Sequence, residues 1–200
     1  MECYTENRDP AHDILHTERV VNNAKLLAKE CDADLTILVP AAWLHDCVIL
    51  PKNHPDRKKA STLAAEKARP FLKSENIPPE KIDSICHAIE SHSYSAGIPP
   101  QTTEAKIVCD ADRLDALGAI GLARCLMTGG KLGRPLYHPE DPFCENRQPD
   151  DSQWTIDHFY AKLLKLPETM QTVSGKKEAL KRVSILEEYL GQLSDELQNQ

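Results

Sequence analysis

The sequence predicts an all-α protein, on three observations. Apolar residues recur every three or four positions along most of the chain, the period of a helix with one buried face. Eight glycines among 200 residues are few, and aromatic residues make up only 5% of the chain. Proline clusters interrupt the periodic stretches and so mark where helices stop.

The elements follow in order. Ile14 to Glu30 forms a first helix with Ile14, Leu15, Val20, Ala24, Leu27 and Ala28 inward. Leu35 to Cys47 is nearly all apolar, which predicts a helix buried in the centre. Pro51 and Pro55 bracket a loop, and a third helix starts near Asp56 and runs to Pro70, whose missing N–H disfavours continuation, with Phe71 and Leu72 packing just beyond. Pro78 and Pro79 open a fourth helix that ends around Ser91, and Ser93 to Pro100 reads as a loop. Thr102 or Thr103 caps a fifth stretch carrying Ala105, Val108, Leu114, Leu117, Ile120 and Leu122, either one long helix or two in tandem. Thr128 to Ser152 holds three glycines and four prolines and is expected to be an irregular lid or pocket wall. Gln153 to Leu166 and Lys176 to Leu197 complete the helices, the second one surface-amphipathic.

Length and charge bound the function. Two hundred residues suit one domain, and no linker-like stretch divides them. The net charge of -7 argues against an extended nucleic-acid surface, while leaving room for a small phosphorylated ligand. Seven cysteines at 3, 31, 47, 86, 109, 125 and 144 show no paired spacing and read as reduced thiols that fill the core. Neither a signal peptide nor a membrane span is evident, so the expected location is the cytoplasm.

Chemistry enters with the polar residues on apolar faces. His16 is in phase with Val20, Ala24 and Leu27, and His45 with Leu38 and Ala41, so two helices aim an imidazole inward. Asp46 follows within an otherwise apolar run, where an uncompensated carboxylate is expensive to bury. Asp110, Asp112 and Asp115 crowd two turns of the fifth helix, and periodicity alone does not choose between Asp110 and Asp112 as the inward group. A metal would account for the set, and mixed imidazole and carboxylate ligands suit Mn, Fe, Zn, Ni or Co better than Ca.

His16, then His45-Asp46, then Asp112 within Ala-Asp-Arg-Leu, resembles the H...HD...D signature of the HD-domain phosphohydrolases. The likeness extends to Ala11-His12-Asp13-x-x-His16-x-x-Arg19-Val20, Leu50-Pro51-Lys52-Asn53-His54-Pro55 and His87-Ala88-Ile89-Glu90-x-His92-Ser93. It continues along 105–121 and through Asp141-Pro142-Phe143 and Asp157-His158-Phe159. The chain is thus similar over nearly its whole length to the stand-alone bacterial YedJ/YpgQ-like subgroup.

What the resemblance implies is a single HD domain over 1–200: a helical bundle around one divalent metal held by His16, His45, Asp46 and Asp112. The metal-binding core would lie within about 14–125, with C-terminal helices from 153. Matching the Asp of the superfamily's motif favours Asp112, leaving Asp110 in support. Mn is the preferred ion, with Mg, Fe, Ni, Co or Zn as alternatives. Asp46, His92, Lys52 and His54 are the expected catalytic groups. Lys52, His54, Arg57, Arg19 and Arg113 are the candidates for holding substrate phosphate. Some HD enzymes use two further histidines for a second ion, which would involve His87 and His92. Asp157, His158 and Lys162 match the family without an assignable role.

The implied reaction is hydrolysis of nucleoside triphosphates to a monophosphate and pyrophosphate by a metal-activated water. The alternatives are a nucleotide monophosphatase or phosphodiesterase, a nucleotide-binding sensor, and a helical interaction protein with a structural metal. The expected partner is a small nucleotide, with no nucleic-acid duplex and no membrane, and association with further copies of the chain stays open.

Overall fold

In a computed structural model, which describes residues 13–50 and 54–198, eight α-helices form and no strand occurs among the described residues. They are α1 (Ile14–Ala28), α2 (Leu35–Leu44), α3 (Ala60–Ser74), α4 (Pro79–Ser91), α5 (Thr103–Leu114), α6 (Gly118–Lys131), α7 (Asp157–Ala161) and α8 (Val173–Gln198). Short 3-10 turns cover Arg57–Lys59, Tyr94–Ala96 and Leu163–Thr169. No helix among the described residues is long and apolar enough to cross a membrane.

The chain packs as two compact units, one up to Asp112 and one from Arg113 onward. The division falls within α5, not in a linker. In the first unit α3 packs on α4, and α2 on both α1 and α4. Its core is built from small and branched residues, including Val20, Ala24, Leu38, Ala41, Ala64, Ile85, Ile89, Ile107 and Val108, all fully buried. In the second unit α8 packs on α6 and on the Leu163–Thr169 turn, and Phe159 stacks on Tyr189 with ring centroids 6.0 Å apart.

Local chemistry fixes the helix starts. The Asp13 carboxylate accepts from the His16 backbone N–H at 2.9 Å, Asp34 caps α2 through Thr36 N–H at 2.7 Å, and Thr102 Oγ accepts from Ala105 N–H at 3.1 Å. Each satisfies a donor that the first helical turn leaves over. The fifth periodic stretch resolves into α5 and α6. Gly118, with φ of 70°, supplies the left-handed residue that the break requires.

Several expectations need correction. Leu15, Leu35, Phe71 and Ile120 are exposed, because each sits on the outward side of its helix. The helix α2 is half-buried, not central: among its residues only Leu38, Ala41 and Ala42 are buried. A uniformly apolar helix carries no phase information, so its outer face was not legible. The helix α3 passes through Pro70 to Ser74. Pro70 and Glu66 are both exposed, so the Glu66 carbonyl that lacks a donor can turn to water, while the buried Leu72 beyond holds the last turn.

The irregular segment starts after Lys131, because Gly129 and Gly130 belong to α6. A Cβ on Gly129 would lie 2.2 Å from Thr155 Oγ, so this glycine permits a close approach inside the helix. Gln153 to Leu166 holds only the short α7 and the beginning of a 3-10 turn, and Pro167 lies inside that turn. Three of the six described cysteines are buried, and these three, Cys47, Cys86 and Cys109, donate to the carbonyls of Ala64, Ala65 and Ser91.

Candidate metal centre

Four helices of the first unit supply the candidate residues. His16 lies in the first turn of α1. His45 is the C-cap of α2 with Asp46 directly after it, His92 is the C-cap of α4, and Asp112 lies in the last turn of α5. His16, His45 and His92 are buried, whereas Asp46 and Asp112 are 21% and 33% exposed. The imidazoles therefore form the floor, and the carboxylates open towards solvent.

The potential ligand atoms of His16, His45 and Asp112 lie within 4.8 Å of one another, as do those of His45, Asp46 and His92. His16 Nε2 is 3.5 Å from Asp112 Oδ1 and 3.8 Å from Asp46 Oδ2, and His45 Nε2 is 3.6 Å from the same Asp46 oxygen. Asp46 Oδ1 instead faces His92 Nε2 at 3.6 Å. The ring centroids of His45 are 5.5 Å from those of His16 and 4.9 Å from those of His92.

Hydrogen bonding fixes which nitrogen is available. His45 Nδ1 faces the Ala42 carbonyl at 2.8 Å, and His92 Nδ1 faces the Ile89 carbonyl at 2.6 Å. A carbonyl only accepts, so Nδ1 carries a proton in both rings, and in the neutral form of either ring the lone pair sits on Nε2. These two bonds also satisfy carbonyls that the ends of α2 and α4 leave over. His45 Nε2 is buried and has no hydrogen-bond partner among the described residues. A buried nitrogen lone pair aimed at carboxylates fits a cation, and this donor set of imidazoles and carboxylates is that of a divalent transition metal.

The electrostatics agree with that chemistry. Burial lowers the pKa of His45 despite the nearby Asp46, so its lone pair is free at neutral pH. Burial also works against a charge on His92, yet Asp46 and Asp112 outweigh it and raise its pKa. Asp112 is held below the usual carboxylate range, since the attraction of His16, His45 and His92 exceeds the effect of burial.

The other candidates divide into those beside this cluster and those committed elsewhere. Asp110 is fully buried on α5 and belongs to neither group of potential ligands. His87 is engaged at both nitrogens: Nε2 accepts from Gln101 N–H at 3.1 Å and Nδ1 faces Glu90 at 3.3 Å. The turn after the HD pair holds His54, whose Nδ1 accepts from Asp56 N–H at 3.1 Å, and Arg57, which donates to the Leu50 carbonyl at 3.1 Å. With Nδ1 so occupied, a neutral His54 carries its proton on Nε2 and can donate to an anion. Lys52, with Pro51 and Asn53, lies outside the described residues, as do Ala11 and His12.

Arg19 is half-buried on α1. Arg113 belongs to the second unit, where it donates to the Thr169 carbonyl. In that unit Asp157 is fully buried against Arg147, His158 pairs with Asp151 at 2.7 Å, and Lys162 is exposed at the end of α7. Sequence reasoning did not identify the Ala42 and Ile89 carbonyls as the groups that orient the rings. The available signal was the position of each histidine at a helix end.

An all-helical fold that gathers H, HD and D onto one centre is the arrangement of the HD domain, and the HD domain family model matches residues 14–117. The chain belongs to the HD domain family. Among individual relatives, it is 30% identical over 190 residues to the uncharacterized protein YpgQ of Bacillus subtilis, covering 93% of this chain and 84% of that one. The crystal structure of Bacillus subtilis YpgQ in complex with ADP is similar at a TM-score of 0.72 and 32% identity, over 92% of this chain and 86% of that one. An HD-superfamily hydrolase from Bacillus thuringiensis matches at a TM-score of 0.73 and 33% identity, over 94% and 88% of the two chains.

Proposed function

We propose that this chain is a divalent-metal-dependent phosphohydrolase that acts on nucleoside triphosphates and releases a monophosphate and pyrophosphate. The observation that carries the reading is the convergence of His16, His45, Asp46 and Asp112, with the buried His45 Nε2 aimed at the carboxylates. These four residues would hold one ion, with Mn the best-supporting metal. When bound, the ion supplies Lewis-acid polarisation of a phosphoryl oxygen and lowers the pKa of water beside it. Nucleotide as substrate class is supported by family membership and by the ADP complex of the related Bacillus subtilis protein.

The chain's own residues then divide the work. Asp46 turns Oδ2 towards His16 and His45, and keeps Oδ1 beside His92. The Asp46–His92 pair is the acceptor for the proton that the attacking water gives up. His54 donates from Nε2 to the distal phosphates, with Lys52 and Arg57 as neighbouring cations in sequence. Arg19 is a further candidate for the phosphates, whereas the bond of Arg113 to Thr169 favours a structural role for that residue. Attack at the inner phosphorus breaks its bridging P–O bond and expels pyrophosphate, a better leaving group than a nucleoside alkoxide.

Incubation of the purified chain and Mn with several nucleoside triphosphates, with products resolved by ion-exchange chromatography, tests the reaction. Monophosphate and pyrophosphate in equal amounts are expected. Diphosphate with orthophosphate, or cleavage of monophosphates alone, would overturn the proposed regiochemistry, and tight binding without turnover would make the chain a sensor.

The ligand set has its own test. Asp112→Asn is expected to weaken Mn binding by more than about 100-fold, and Asp110→Asn by no more than about 10–100-fold, the range of a supporting group. Metal titration of the two variants measures this, and the reverse order would move the site to Asp110.

A further inference from the structure

We propose that Tyr94 is the platform on which the base of the nucleotide substrate stacks, a specificity role that rests on the nucleotide reading above. Its side chain is 85% exposed, although a buried aromatic ring is among the larger contributors to a core. The ring is not displayed by a loose end. Ala96 N–H donates to the Ser93 carbonyl at 3.1 Å, Gly97 N–H to the Tyr94 carbonyl at 3.3 Å, and the Ser93 and Ser95 hydroxyls bond each other at 3.0 Å. Farther along, the bond from Gln101 N–H to His87 Nε2 ties the same loop back to α4.

Position gives the exposed ring its purpose. Tyr94 follows His92 by two residues, so their Cα atoms are at most about 7 Å apart. Its 3-10 turn packs on the Arg57–Lys59 turn, which follows His54, as well as on α3 and α4. Tyr94 therefore stands two residues from the histidine that abuts Asp46, on a turn that packs on the one following His54, the group assigned above to the distal phosphates. A nucleotide has the same sequence of parts: a flat base, a sugar, then the reacting phosphorus and its charged tail. The residues flanking Tyr94 are Ser93, Ser95, Ala96 and Gly97, all small, so none competes with a base for the ring face. Stacking of this kind tolerates any base, because every base has a π face, which predicts weak discrimination among nucleotides.

The test uses the full chain with Mn and the variants Tyr94→Ala and Tyr94→Phe. Two readouts are needed: ADP binding by isothermal titration calorimetry, and steady-state hydrolysis of a nucleoside triphosphate against inorganic tripolyphosphate, which has no base. Tyr94→Ala is expected to weaken ADP binding and raise the nucleotide KM by about tenfold, while the tripolyphosphate constants move by less than about twofold, and Tyr94→Phe restores the nucleotide values. Equal ADP binding and nucleotide KM in Tyr94→Ala and the unaltered chain would overturn the stacking role. So would an equal loss toward tripolyphosphate. An unaltered chain that binds ADP but hydrolyses neither compound removes the hydrolase reading and leaves the binding comparison decisive, whereas one that neither binds nor hydrolyses removes both.

Discussion

His45→Ala is expected to strip the chain of its metal and its activity together while leaving far-UV helical content nearly intact. The reasoning starts from the C-cap of α2, where burial keeps the ring neutral and the Ala42 carbonyl holds the proton on Nδ1. Alanine there removes a buried lone pair that faces Asp46 Oδ2 at 3.6 Å and has no hydrogen-bond partner among the described residues. Groups that merely orient a ligand are worth about 10–100-fold in metal affinity, so loss of a ligand should exceed about 100-fold. The fold loses the hydrogen bond to the buried Ala42 carbonyl, about 1–3 kcal/mol for an acceptor left unpaired, which lowers stability without removing a helix. Asp46→Ala should behave alike, since its carboxylate faces all three histidines. Elemental analysis of the purified variants decides the matter. Full metal occupancy in either would remove that residue from the ligand set. If the ion instead served only the fold, both variants and the metal-stripped chain would melt far below the loaded one.

How much of this was legible in the sequence depends on the kind of signal. Helical phase marked His16 as inward, because Val20, Ala24 and Leu27 follow it at offsets of four, eight and eleven, whereas His45 follows Leu38 and Ala41 by seven and four in a run that is apolar on every side and so stood out only as a polar residue within it. It could not choose between Asp110 and Asp112, because nearly the whole circumference of α5 is buried and both faces look apolar. Only tertiary packing brings Asp112 to His16. Pro70 misled for a related reason: a helix breaker stops a helix only where its lost hydrogen bond cannot be met, and on an exposed face water can meet it. Gly129 read as loop because sequence cannot show that Thr155 approaches the helix there. Tyr94 carried no sequence signal at all, since a lone aromatic between serines looks the same whether it is packed or displayed.

The largest effect on stability is expected away from the metal centre, in the second unit, where Asp157 is fully buried and Arg147 meets it with two hydrogen bonds, Nη2 to Oδ1 at 2.7 Å and Nη1 to Oδ2 at 2.5 Å. Asp150 N–H donates to the same carboxylate at 2.6 Å. Arg147→Ala removes the counter-charge and leaves the carboxylate buried, which typically costs about 3–5 kcal/mol. Asp157→Ala should cost less, because Arg147 is 20% exposed and can turn its guanidinium to water once its partner is gone. The pH dependence carries the distinguishing sign. Burial alone would raise the Asp157 pKa, but the Arg147 and Asp150 bonds outweigh it and leave the folded value depressed. A depressed carboxylate contributes stability that is present above its unfolded pKa, about 4, and is lost as pH falls through the folded value. In Arg147→Ala the bond that held the pKa down is gone, so Asp157 takes up its proton more readily than in the unaltered chain. The deficit of that variant should therefore be greatest near pH 7 and narrow as pH falls through the variant's own Asp157 pKa towards the depressed value of the unaltered chain. Urea denaturation of both variants across that range measures it, and a deficit that stays constant with pH, or a larger loss in Asp157→Ala, would refute the electrostatic account of this pair.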